Sequence, residues 1–568
     1  MILRFHFLAL IFIAILAIFT YWDLPNTFFL QDEWEVLASI NYYQSKGWIG
    51  IIQSSFPPTA LSHFNPLGLV YVWLTHLLFY TNFEPYAYLS ITLRIINTFL
   101  LYYFILSWLK KRKIAFFAAL FFAINSISHQ AVTWVATVDS YAIPTAFILL
   151  SLIFFQRFLV RDKHWKRNML FSMLMLLASL LHHENGIFLF LFYPVVFFLF
   201  AKSKWKKLLP TFSYGILISI FVFIAIRIPF FFGLTVSVPD IANFSHSPIA
   251  VYPYRLISIG MKSFAESLIP EKTLIDISEQ VVRLAYPQFL SPDKTPNPFI
   301  AQSIVFDLVS YVLTVFIICV FILLIGVMRE KKILQAFIWA LIFVPVSFSP
   351  YIFVLGRAGY ASIIEPKFFY IGSIGVSILV AITVYSALSR FSRQKTLKLI
   401  IYLLFGLYLL SHVYAIKMHL GDLEKTSIQR KTFLTKVQLS YPNLSQKVVF
   451  FTQSDTAYYG MPENEKILPV QIGFGRILMV WYQKDERFPG CLYEGRFLLN
   501  LLEEGYRFCE GRGFGYFRNY DKLVAAVLAN DIKSEEIIGY SWERQREEFI
   551  DITEKVRGKI KQDIERNK

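Results

Sequence analysis

Eleven apolar stretches set the limits on what this chain can fold into. They fall at about 4–22, 86–109, 114–137, 140–159, 168–183, 186–201, 208–229, 303–328, 335–354, 367–388 and 399–416. Each approaches the roughly 20 helical residues that cross a ~30 Å hydrocarbon layer. With 56% hydrophobic residues and a mean hydropathy of +0.51, a soluble globular fold is excluded and a polytopic helical bundle is expected. The third stretch carries the polar run Asn125–Gln130 and reads as a short helix followed by a re-entrant piece. The stretch 66–80 is apolar enough to compete as a span. It is placed as a helix at the outer surface, because counting it would put the basic run 110–113 outside.

The charge pattern orients the bundle. Five connections (110–113, 161–167, 202–207, 329–332 and 389–398) hold 19 Lys and Arg in 31 residues, and the alternate connections hold seven in 166. With the amino terminus inside, every basic connection falls on the cytoplasmic side. The net charge of +16 therefore belongs to cytoplasmic loops, and no nucleic-acid motif accompanies it. No small-x-small cleavage site follows residues 5–20, so an uncleaved first helix is expected there.

Residues after about 417 form a polar region, read as a small extracytoplasmic α/β domain. Strand-like runs at 447–451 and 477–482 alternate there with helical stretches at 496–505, 519–530 and 545–566. Cys491 and Cys509 can pair if that region is extracytoplasmic, whereas Cys319 lies inside a span. The glycine-rich segments 473–476 and 511–515 lack phosphate-loop spacing and read as turns. The outer loop 230–302 carries a run of prolines and an amphipathic helix near 255–285.

The candidate chemistry lies on the outer side. Asp32 and Glu33 pair at the mouth of the bundle, where a carboxylate can take a proton from a hydroxyl. Acids are equally favoured in the first turn of a helix by its dipole. Arg94 lies about eight residues into a span, where an arginine costs roughly 2.5–3.5 kcal/mol unless it faces a cavity or a partner. A phosphate suits its planar guanidinium, and snorkelling to the interface is the alternative. Arg227 and Lys367, at outer ends of spans, read either as phosphate ligands, with Tyr370 one turn from Lys367, or as interfacial anchors. His182, His183 and Glu184 occupy a turn between two spans, and adjacent histidines on a helix point about 100° apart, which disfavours a shared metal. His63 and Asn65 are weaker candidates to line a site.

Several local patterns together resemble the GT-C superfamily of membrane glycosyltransferases, within it the protein O-mannosyltransferase-like group. Gln31-Asp32-Glu33-Trp34-Glu35 is similar to its first-loop acidic motif, and His63-Phe64-Asn65-Pro66 to its His-x-x-Pro segment. Glu184 fits where relatives often have Lys-Glu, and His183 departs. The run from Glu365 to Gly375 resembles an Arg-Tyr segment, with Lys367 in place of arginine. The resemblance covers about residues 1–416. It implies transfer of one sugar from a polyprenyl-phosphate carrier to an acceptor protein, glycan or lipid on the outer face, with Asp32 as general base and inversion at the anomeric carbon. Arg94, Arg227 and Lys367 would meet the lipid phosphate, and Glu33 and Glu184 would support the site. A divalent cation is possible and not demanded. A transporter or lipid flippase, the competing class, predicts paired repeats and broken central helices, which this sequence does not display.

Overall fold

The computed structural model describes residues 2–30, 32–45, 47, 65–160, 164–201, 204–232, 251–290, 294–297, 300–328, 330–353, 364–454, 473–495, 497–500, 502–543 and 548–566. His63 lies outside them, and Arg227 is described by its backbone alone. In chain order the helices are α1 (Ile2–Thr20), α2 (Asp32–Ser45), α3 (Pro66–Phe79), α4 (Phe83–Leu109), α5 (Arg112–Ile124), α6 (Ile143–Val160), α7 (Trp165–His182) and α8 (Leu189–Phe200). There follow α9 (Trp205–Phe232), α10 (Val251–Leu268), α11 (Glu271–Ala285), α12 (Phe306–Val327), α13 (Lys331–Ser347), α14 (Phe369–Arg390) and α15 (Lys395–Ser440). The remainder is β1 (Lys447–Ser454), α16 (Phe474–Glu486), β2 (Gly505–Cys509), β3 (Arg512–Phe517), α17 (Tyr520–Asn530), β4 (Ile537–Glu543), β5 (Glu548–Asp551) and α18 (Thr553–Arg566).

Eight helices among the described residues are long and apolar enough to cross a membrane, so the chain is an integral membrane protein of mainly helical fold. The other three expected spans are shorter or more polar. The stretch 168–183 is α7, which opens on Trp165-Lys166-Arg167-Asn168. The stretch 186–201 is the apolar helix Glu184–Phe200, whose first turn is 3₁₀. The stretch 114–137 breaks at Asn125: α5 stops there, the Asn125 side chain accepts the Ile127 N–H at 2.9 Å, and single turns carry the chain on to Thr137. An asparagine that bonds its own backbone two residues on offers the chain a turn in place of a helix.

The chain divides into two compact units. One comprises residues 1–22, 56–69 and 87–418, and the other 23–55, 70–86 and 419–568. The first is the helical membrane unit. One close layer stacks α14 on α5 and α13, where a methyl group on Gly375 would meet Val344 and Phe343 within about 3 Å, so the helices touch backbone to side chain.

The second unit contains a five-stranded sheet in the order β2-β3-β1-β4-β5, parallel at its centre and antiparallel at both edges. Central β1 is buried on both faces, as its unbroken Val448-Val449-Phe450-Phe451 run requires. Val449 and Phe451 meet Leu523 and Val527 of α17 and Val556 and Ile560 of α18, and Phe450 turns towards Tyr482 of α16. The run 477–482, expected as a strand, is helical within α16. A short apolar run reads alike for a buried strand and a buried helix face. The segment 496–505, expected as helix, is turn where described and leads into β2 at Gly505. Residues 548–551, at the start of the expected helix 545–566, form strand β5.

The two glycine-rich segments also resolve. Gly511 makes the β2–β3 turn at φ +76°, but Gly513 lies within β3, where a Cβ would run into the Tyr506 hydroxyl. Gly473 caps α16 and opens a helix, not a turn. Cys491 and Cys509 form a disulfide that ties the turn after α16 to β2. Its loop spans 18 residues. Cys491→Ser, or reduction of the native protein, is therefore expected to lower the stability of this unit by about 2–4 kcal/mol, read as a fall in the denaturant midpoint. An unchanged midpoint would show that the bridge does not constrain the fold.

Candidate functional site

Asp32 and Glu33, adjacent in sequence, have different surroundings. Asp32 is the first residue of α2 and is exposed. Glu33 is buried and accepts the Leu30 N–H at 3.2 Å, closing the turn that precedes the helix. Three acids, Asp32, Glu33 and Glu35, occupy that first turn, where the unpaired N–H groups and the helix dipole favour negative charge.

What fixes this turn comes from the second unit. The Phe28 N–H donates to Ser427 Oγ at 3.0 Å, and Arg430 donates to the Leu30 carbonyl at 3.4 Å, both from the distal part of α15. Phe28, Phe29 and Trp34 are almost wholly buried and pack edge-to-face on one another, with Trp481 of α16 against Phe28. Aromatic pairs of this kind add about 0.5–1.5 kcal/mol each to their burial. Farther along α2, Asn41 meets Nε2 of His76 on α3 at 3.1 Å. The carboxylate of Asp32 is thus presented at the start of a helix whose other side is buried among aromatic rings.

A second cluster lies within the membrane unit. The broken piece after α5, the turn after α7 and the turn before α14 converge there, bringing together four of the polar residues considered from sequence and one that was not. His183 is buried, caps the 3₁₀ turn Glu184–Phe188 by accepting the Asn185 N–H at 3.3 Å, and faces the Tyr141 ring. Glu184 opens that turn and is half-buried. Asn185 donates to the Ser140 carbonyl at 3.1 Å. Lys367 pairs with Glu365 at 2.8 Å, and its ammonium lies 4.4 Å from the centre of the Trp134 ring. Tyr351 stacks on Phe368 beside them.

The residue not singled out from sequence is Asp139. It is buried in a π-turn at Val138–Ala142, with the Ser140 hydroxyl donating to it at 3.2 Å. Gly68, in the first turn of α3, approaches so closely that a Cβ there would lie 2.9 Å from an Asp139 oxygen. An acid at the edge of an expected span, closing the outer connection 126–139, was the available signal. Among the described residues no three His, Cys, Asp or Glu side chains stand close enough together to hold a metal ion.

Arg94 and Tyr370 meet, but elsewhere. Arg94 is fully buried and donates to the Phe122 and Ala123 carbonyls and to Ser128 Oγ. Its guanidinium lies 4.4 Å from the centre of the Phe122 ring and 4.8 Å from that of Tyr370. The Tyr370 hydroxyl accepts from Asn97 at 3.0 Å. Phe122 and Ala123 are among the last residues of α5, whose final carbonyls have no helical donors. Nε and Nη2 of Arg94 are thus spent on the end of a broken helix and on Ser128, while Nη1 is buried with no hydrogen-bond partner among the described residues.

No family model matches this chain, and no curated protein matches it. Among solved structures the chain is similar to the oligosaccharyltransferase of Archaeoglobus fulgidus, crystallised with a tethered acceptor peptide containing the NVT sequon. The TM-score is 0.41 and the identity 12%, over 79% of this chain and 62% of that one. The chain thus spans less than two thirds of that protein's length, and a likeness of this grade carries no argument about activity.

Two measurements test these contacts. Arg94→Leu is expected to destabilise the membrane unit by on the order of 1–3 kcal/mol, because buried carbonyls lose their donors, and Arg94→Lys is expected not to restore it. Melting in detergent reads both, and native-like melting of the leucine variant would refute the capping role. Burial lowers the His76 pKa to about 4. Its neutral form is held in the fold, so stability is full above the unfolded value near 6.5 and declines as pH falls from there towards 4. His76→Gln should flatten that decline in a melting series across pH 4–7.

Proposed function

We propose that this chain is a membrane glycosyltransferase that moves one sugar from a polyprenyl-phosphate carrier to a hydroxyl-bearing acceptor, with Asp32 as general base. The acceptor hydroxyl gives its proton to Asp32 as its oxygen bonds the anomeric carbon. The bond from that carbon to the phosphate oxygen breaks on the opposite side, which inverts the centre and releases the lipid phosphate. A phosphate leaving group needs no protonation, so one carboxylate suffices.

The observation that carries the reading is the division of labour in the acidic pair. Glu33 is buried and closes the turn, whereas Asp32 stands exposed at the head of a rigidly backed helix. A carboxylate held so firmly loses little on meeting an acceptor. The eight apolar helices suit a substrate with a long hydrocarbon tail.

In this reading the donor phosphate is met by Lys367 and Arg227, with Glu184, His183, His63 and Tyr370 as supporting groups. Arg94 would contribute through Nη1 alone, since Nε and Nη2 are spent on backbone carbonyls and Ser128. The amino terminus lies in the cytoplasm and the α/β domain on the outer face, as the basic loops indicate. That domain, with residues 23–55, forms the seat of the base.

The test is transfer of a labelled sugar from a polyprenyl-phosphate donor by the purified protein in vesicles. Asp32→Asn should cut kcat by about 10²–10⁴ while leaving the melting temperature unchanged. Equal transfer by both proteins would remove Asp32 from the reaction, and no transfer by the native protein to protein, glycan or lipid acceptors would end the transferase reading.

A further inference from the structure

The loop between α9 and α12 contains two helices of opposite polarity. On α11 the exposed positions include Glu271, Lys272, Asp276, Gln280 and Arg283, and the buried ones Leu274 and Val282. That is the ordinary pattern of a helix facing water. Helix α10 reverses it. Its exposed side chains are Pro253, Tyr254, Leu256, Ile257 and Met261, with Ile257 at 62% and Leu256 at 50%. Its charged and hydroxyl residues Arg255, Ser258, Lys262, Ser263, Glu266 and Ser267 are all buried. Among the described side chains of α10, the one exposed polar group is the Tyr254 hydroxyl, in the first turn of the helix.

The buried charges are matched. The Lys262 ammonium lies 2.8 Å from Asp307 near the start of α12 and 3.7 Å from Glu266 one turn along α10. Arg255 donates to the Ile352 carbonyl at 3.3 Å. Removing such groups from water is costly unless each is paired. A soluble helix would turn them outward and bury Ile257 and Leu256. The opposite choice is favoured only where the outer medium is itself apolar.

We propose that α10 lies in the hydrocarbon margin of the bilayer, its Tyr254–Met261 face against acyl chains and its charged face sealed on α12. It is not a further crossing. A crossing would reverse the side of every later loop and put the basic connections 329–332 and 389–398 outside. Asp307 sits close to one end of its span and Thr314, which accepts the Ala265 N–H at 3.1 Å, two turns farther in, so α10 packs on that half of α12. The chain returns to water at Pro270, where α11 begins to expose its charges.

The proposal is tested on the full chain in vesicles of phosphatidylcholine and phosphatidylglycerol. Cys319, which is free and exposed, is first replaced by alanine. A nitrobenzoxadiazole fluorophore is then attached at Ile257→Cys on α10 or at Asp276→Cys on α11. Doxyl-labelled phosphatidylcholine should quench the first several-fold more than aqueous iodide does, and the second in the reverse order. Iodide quenching at position 257 equal to that at 276 would place α10 in water and overturn the proposal. Shielding of position 257 from both quenchers would overturn it too, by showing a protein surface there. Met261→Cys provides the same readout should the first variant not fold.

Discussion

A charge inside an apolar bundle needs a partner, and the one found for Arg94 organises much of the membrane unit. Helix α5 stops at Asn125 in the middle of an expected span, leaving carbonyls that neither lipid nor a following turn can satisfy. Arg94 supplies the donors, and the rings of Phe122 and Tyr370 flank its guanidinium. The turn beyond is held from another side, where His412 meets Ser126 at 2.7 Å. Because α5 ends early, the chain can fold back in single turns. Those turns carry Trp134, Asp139 and Tyr141 towards His183, Glu184, Glu365 and Lys367.

The second unit applies the same logic to the acidic turn. Residues 28–30 carry no regular structure of their own, and the partners of the Phe28 N–H and the Leu30 carbonyl come from α15 some 400 residues away. The sheet contributes indirectly. Phe433 of α15 packs on Phe474 of α16 and on Tyr540 and Phe549 of β4 and β5, which fixes the helix bearing Ser427 and Arg430. The α/β part of this unit therefore determines where a carboxylate near the amino terminus sits.

What could be read from the sequence follows from how local each signal is. Long apolar runs and the acidic start of α2 are local and were legible, as was the break at Asn125 with its polar run. The partner of Arg94 was not, because nothing in residues 86–109 indicates that the end of a later helix will need a donor. Helix α16 was misread because a run of six apolar residues looks alike in either secondary structure. The separation of Asp32 from Glu33 was also hidden, since exposure depends on which side of the turn the distant aromatic rings occupy. Lys367 was legible as a cation but not as the partner of Glu365, two residues before it.

The inverted polarity of α10 has a consequence for how the chain is made. Emerging from the ribosome, residues 251–268 present an arginine, a lysine and a glutamate, and are too polar to partition into lipid on their own. Of the two carboxylates beside Lys262, Glu266 lies on the same helix, and the nearer one, Asp307, is synthesised 45 residues later. The ion pair with Asp307 therefore forms only after the start of α12 has been made. Its assembly is a late step, and the interval is one in which an insertase or chaperone could hold α10.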